Sequence, residues 1–340
     1  MSRILVRVAP ILIIALAVSS VRAETPATGY KLQKTIKIGG EGGWDYLTMD
    51  SEGRRLYIAR ADRVTVFDID AGKVVGEVTK TPGVHGVALD LKRKRGYSSN
   101  GGDSTVTVFD LETLKETARV KVGSRPDAIV YDPASDRIFT FNAGSSDATA
   151  VSAEDNTVGG TVKLGGKPES AAVDGKGRVY VNIENKSEIV AFDAKTLEVK
   201  AHWPLAPGET AVGLAMDQKN NRLFSTCRNG KMIVVDAGSG KVLASPAIGK
   251  GTDAASFDPE TGLAFSSNGD GTLTIVGEKS GSYEVVANVA TQAGARTMAL
   301  DTKTHNVLLV TAKFKPTEPG ATSRRRVMEP DSFVVLIVGK

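Results

Sequence analysis

The sequence predicts an all-β fold, a seven-bladed β-propeller of four-stranded blades in which the N-terminal strand completes the last blade. Three observations carry that prediction. One aspartate recurs seven times at a nearly fixed interval. Each copy is followed by the same succession of short strands. The first and last segments supply complementary parts of a single unit.

The aspartates are Asp50, Asp90, Asp132, Asp174, Asp217, Asp258 and Asp301, separated by 40, 42, 42, 43, 41 and 43 residues. Each ends an apolar run and opens a turn, where a carboxylate caps backbone N–H groups. A second strand then begins on Tyr57, Tyr97, Phe139, Tyr180, Phe224, Phe265 or Leu308. Third strands alternate apolar and polar residues, as in Val64–Asp68, Val106–Asp110, Ile189–Asp193 and Met232–Asp236. Fourth strands such as Val74–Val78 and Thr161–Leu164 precede a Gly- or Pro-rich link. Four short strands per repeat of this length are what a propeller blade needs, and helical periodicity is absent. A straight β-solenoid would require capping units, which the sequence does not offer.

Closure follows from the two ends. The seventh unit reaches its third strand at Phe333–Val338, and the sequence stops at Lys340. Thr35-Ile36-Lys37-Ile38-Gly39-Gly40 closely resembles the fourth-strand segment Thr161-Val162-Lys163-Leu164-Gly165-Gly166. The N-terminal strand is therefore expected to complete blade seven and hide two sheet edges. The domain expectation is residues 31–340 as one propeller, preceded by a short extension at 24–30.

Residues 1–23 read as a signal peptide. Arg3 and Arg7 form a basic start, Pro10 to Ser20 a short apolar run, and Val21-Arg22-Ala23 a small-residue cleavage site after Ala23. The expected location is periplasmic or secreted, with no membrane span after cleavage. Loss of those three arginines lowers the formal charge from +4 to +1, so the basic balance argues little for nucleic acid. Cys227 is the single cysteine, which leaves no internal disulfide in an oxidising compartment. A monomer stabilised by burial and ring closure is expected.

Arg178-Val179-Tyr180-Val181-Asn182 followed by Glu188–Asp193 resembles the YVTN-type repeat of YncE-like bacterial propellers, with weaker versions at Tyr97–Asn100 and Phe265–Asn268. The resemblance covers nearly the whole mature chain. It implies a periplasmic or surface propeller, with suggestions of DNA or cell-envelope binding, and no shared reaction.

Candidate site residues lie where the repeats stop agreeing. Five residues before the successive aspartates stand Asp45, His85, Asp127, Glu169, Val212, Asp253 and Arg296. In a propeller these positions reach the entrance of the central channel. Carboxylates drawn so close raise one another's pKa unless a cation or donor relieves them. Asp45, Asp127, Glu169 and Asp253 would thus suit a divalent cation (Ca²⁺, Mg²⁺ or Mn²⁺), with His85 adding an imidazole. The alternative is that water alone satisfies a polar channel mouth. Trp44, beside Asp45, is a candidate stacking wall.

A second ring is expected on the same face at Arg60, Asn100, Asn142, Ile183, Cys227, Asn268 and Thr311. There Arg60 and Arg228 would suit an anionic ligand, whereas asparagines are commoner as turn formers. The connection at 313–331 in blade seven is long and carries Arg324-Arg325-Arg326, a candidate flap or nucleic-acid contact. HExxH, a phosphate loop and CxxCH are absent, and Cys227 has no nearby basic partner in sequence to activate it. The expected function is an exported, non-catalytic binding propeller for a small molecule or envelope component. The alternatives are a metal-dependent hydrolase or lyase and a DNA-binding propeller.

Overall fold

The computed structural model describes residues 28–315 and 327–340. Its strands form seven four-stranded antiparallel sheets. Blade one runs Leu47–Asp50, Arg55–Arg60, Arg63–Asp68 and Lys73–Val78. Blades two to six repeat the meander over 84–121, 126–163, 168–204, 211–244 and 252–290. Blade seven combines Met298–Asp301, Asn306–Thr311 and Val334–Gly339 with Lys31–Lys37 as its outermost strand. The first strand of every blade touches the first strands of both neighbours, and that of blade seven meets that of blade one, so the ring is closed.

Closure has the register the two ends imply. Lys31 pairs with Gly339 and Lys37 with Val334, and the N–H groups of Ile38 and Gly39 both donate to the Phe333 carbonyl. The strand begins four residues before Thr35, and Tyr30 just ahead of it is fully buried. Tyr30 packs edge-on against Phe265 and donates its hydroxyl hydrogen to the His305 carbonyl at 3.0 Å.

The recurring aspartates are turn caps. Asp50 accepts from the Gly53 amide, Asp90 from Arg93, Asp132 from Ser135, Asp217 from Lys219 and Asn220, and Asp301 from Lys303. Asp68, Asp110, Asp193 and Asp236 do the same in the turn after the third strand. The residue opening each second strand, aromatic in six blades and Leu308 in the seventh, is buried against the core. Tyr57 packs on Phe109 and Phe139 on Phe192, while the Tyr97 and Tyr180 hydroxyls reach the Ala153 and Ala237 carbonyls. Arginines at the start of the second strand add a polar tie: Arg55 donates to Leu111 O, Arg95 to Ala153 O and Arg137 to Ala194 O. Blades one to three thus bind their successors by buried aromatic area and by a hydrogen bond to an otherwise unpaired turn carbonyl.

Candidate ligand site at the channel mouth

The inner strands of blades two to six are not regular where they begin. The pairing register shifts between Val84 and Gly86, Pro126 and Ile129, Pro168 and Ala171, Ala211 and Leu214, and Thr252 and Ala254. His85, Asp127, Glu169, Val212 and Asp253 all fall inside these irregularities. A bulge frees a residue from the ladder and re-aims its side chain. Asp45 and Arg296 precede the shorter inner strands of blades one and seven.

The side chains meet in two arcs. In one, His85 Nδ1 lies 2.5 Å from Asp45 Oδ2 and 3.6 Å from Asp127 Oδ1. One ligand atom from each of these three residues fits within a 4.8 Å cluster. In the other arc, Arg296 Nε pairs with Asp253 Oδ2 at 3.0 Å, and Arg228 Nη2 lies 3.6 Å from Asp253 Oδ1 and 3.5 Å from Glu184 Oε1. Lys167 extends the second arc by pairing with both Glu169, at 3.2 Å, and Glu184.

Burial sets the electrostatics. It pushes Asp127 up to about 6 against the pull of His85, with Asp45 adding repulsion. It pushes Glu169 up to about 8, reinforced by Asp127 and only partly relieved by Lys167. Asp253 is raised for the same first reason despite its arginines. Burial works against the His85 imidazolium, yet the Asp45 hydrogen bond and the charges of Asp127, Asp45 and Glu169 outweigh it and raise the pKa. The charge of Asp253 is felt at both Asp127 and Glu169, so the two arcs act on one small space.

Tyr46 stands at the centre of that space. Its hydroxyl has no hydrogen-bond partner among the described residues. Burial, then Glu169, Asp127, Asp45 and Asp253, hold its pKa well above the ordinary value, so it is a proton donor. It also lines a channel cavity of about 280 Å³ whose wall mixes Leu47, Val87, Ile129 and Met298 with Thr48 and Ser170.

Two candidates are placed elsewhere. Arg60 is not free to meet an anionic ligand. It is buried, its guanidinium lies 3.8 Å over the Phe333 ring, and it donates to the carbonyls of Gly39, Glu41 and Gly42. Burial lowers its pKa to about 10. Trp44 packs on Phe333 and Phe314 in the apolar core between blades seven and one, so it forms no stacking wall over the carboxylates. Asn100, Asn142 and Asn268 are fully buried clasps. Each amide donates to a threonine two residues into the third strand (Thr107, Thr149, Thr274) and accepts from Ser98, Thr140 or Ser266. Cys227 is buried, which pushes its thiol up to about 11 and leaves it a poor nucleophile. The signal-like segment 1–23 and Arg324, Arg325 and Arg326 lie outside the described residues.

Lys167, Glu184 and Tyr46 are site residues that the spacing argument missed. A signal existed for Glu184. The residue after the second strand is small in five blades, Ala61, Gly101, Ala143, Gly269 and Ala312, and is Glu184 or Arg228 in the other two. Those two exceptions touch each other. Gly101 shows why small residues are wanted elsewhere, because a Cβ there would sit 2.9 Å from the His85 ring.

No family model matches the chain, and no curated protein is similar to it in sequence. Among solved structures it resembles a chain of the hydrazine synthase of Kuenenia stuttgartiensis (TM-score 0.71, 15% identity, 80% of this chain and 93% of that one). It also resembles a chain of the mitotic checkpoint complex (TM-score 0.73, 13% identity, 98% of each). The WD40 β-propeller domain of Doa1 is a third likeness (TM-score 0.69, 13% identity, 91% of this chain and 97% of that one). The fold is a β-propeller. At such identities these likenesses speak to the fold alone. Among the described residues, no helix is long and apolar enough to cross a membrane.

Proposed function

We propose that this chain is a non-catalytic binding propeller of the bacterial cell envelope, and that its ligand sits at the channel mouth. The observation that carries the reading is the convergence of Asp45, His85, Asp127, Glu169, Asp253 and Arg296 on one partly buried space with unrelieved negative charge. Holding buried carboxylates at each other's expense is costly, and a ligand that relieves them recovers the cost as affinity. Propellers lend themselves to recognition because a rigid ring presents varied side chains on one face. The signal-like N-terminus and the YVTN-type segments of blade four support the envelope location.

A melting-temperature screen tests the reading with cationic, anionic and zwitterionic small molecules on the wild type, Asp127→Asn and Arg296→Gln. At least one charge class is expected to stabilise the wild type and to lose its effect in a mouth variant. If no class gives a mouth-dependent shift, the channel mouth is not the site.

One observation favours a second reading, a metal-dependent hydrolase or lyase. The Asp45–His85–Asp127 cluster offers two oxygens and a nitrogen at chelating separations, a set suited to Mn²⁺, Mg²⁺ or Ca²⁺. Glu169, beside that cluster, would be the carboxylate left over for proton transfer. Stoichiometric Mn²⁺ binding in a calorimetric titration, abolished by Asp127→Asn, would promote this reading over the first.

A further inference from the structure

We infer that the mouth recognises a small zwitterion, an ammonium group joined through a short spacer to a carboxylate or phosphate. This rests on the preceding assignment of the ligand to the channel mouth and adds the chemical class. The charges around the mouth are segregated rather than alternating. On the side of blades one to three, Asp45 and Asp127 face a single imidazole, so at least one negative charge has no permanent partner. An ammonium group there would be met by several carboxylate oxygens at once.

On the opposite side, Lys167, Arg228 and Arg296 balance Glu169, Glu184 and Asp253 in number, but the geometry leaves donors over. Asp253 lies beneath the two arginines and takes Arg296 through its Nε at 3.0 Å. The side chains of Arg228 and Arg296 remain 50% and 54% exposed, and beyond the pairs named above their N–H groups make no hydrogen bond among the described residues, which leaves guanidinium edges open. Such edges bind carboxylate or phosphate oxygens in a bidentate fashion. Arg228 stands at a position that is small in five of the seven blades, so the repeat itself does not call for it.

Tyr46 supplies an independent pointer. Its hydroxyl feels four carboxylate charges and the residue lines the channel cavity, yet it donates to none of those carboxylates among the described residues. The residue is only part-buried, so the hydroxyl is an open donor that a ligand oxygen at the mouth can take up.

Calorimetric titration of the wild-type protein decides the matter. The probes are glycine, 4-aminobutanoate, 6-aminohexanoate and phosphoethanolamine, with butylamine and butanoate as one-charge analogues. At least one zwitterion is expected to bind roughly tenfold or more tightly than either analogue, about the worth of one charge-assisted hydrogen bond. Preference for phosphoethanolamine or for an amino acid tells phosphate from carboxylate. In the double variant Arg228→Gln/Arg296→Gln, the zwitterion should fall to the level of butylamine while butylamine itself keeps its affinity. Equal binding of butylamine and every zwitterion in the wild type overturns the inference and leaves the mouth as a cation site. Binding of butanoate alone overturns it and leaves an anion site. Binding unaffected by Asp127→Asn and by the arginine variant sinks the mouth assignment as well.

Discussion

Glu169 and Asp127 enter the mouth from neighbouring inner strands, and burial raises them to about 8 and about 6. The unfolded chain releases both protons near pH 4, so between that pH and the folded value the native state holds protons that the unfolded state has lost. Stability from these groups is therefore complete below about pH 4 and declines as pH rises through about 8. Glu169→Gln removes the charge and keeps the shape. It is expected to stabilise the protein by about 2–4 kcal/mol at pH 9 and to be nearly neutral at pH 4. Urea unfolding at the two values checks this, and an equal effect at both would contradict it. Arg60 gives the opposite kind of test. Its guanidinium is spent on backbone carbonyls and on Phe333, so Arg60→Met should cost about 2–3 kcal/mol of stability. Ligand affinity at the mouth should remain unchanged in that variant, whereas Arg296→Gln should show the reverse.

At the scale of the strand, what was legible depended on how local the physics is. The turn caps could be read from sequence because an aspartate two or three residues before the amide it accepts from is a local event, repeated seven times. The mouth positions could be read because they sit at a fixed distance from those caps. Arg60 and Trp44 could not. Both occupy ring-like positions, but Arg60 meets Phe333 and Trp44 meets Phe333 and Phe314 across the closure, a contact 273 residues away for Arg60 in the chain. Lys167 and Glu184 were missed because neither lies five residues before a cap aspartate or in the second ring. The asparagine clasps belong to this scale too. Asn142→Ala would strand the hydroxyls of Thr140 and Thr149 and the Asp147 carboxylate inside blade three. A loss of about 2 kcal/mol is expected, measured by thermal or urea unfolding. No change would mean that water replaces the amide.

The whole molecule is held by a ring in which each blade packs on the next and the two ends of the described chain share one sheet. Lys31–Lys37 is mostly exposed on its own account, yet it covers the edge of the fully buried strand Val334–Gly339. Deleting residues 24–38 should therefore expose an apolar strand edge. A lower melting temperature and association detectable by light scattering are expected. A monomeric deletion variant of unchanged stability would mean that the ring does not need its clasp. Closure also fixes the mouth, because Asp45 enters from the first blade and Arg296 from the last.

The claim that one electrostatically coupled space at this mouth takes the ligand can be read from a single histidine. His85 should titrate above the ordinary imidazole value, since Asp45 and Asp127 outweigh the effect of burial. A bound ammonium group would oppose the imidazolium and lower that pKa. The measurement is an NMR pH titration of the three histidine rings with and without a saturating zwitterion found by calorimetry. The account expects a raised His85 pKa that falls on ligand addition. A ligand that binds and leaves His85 unmoved would contradict it.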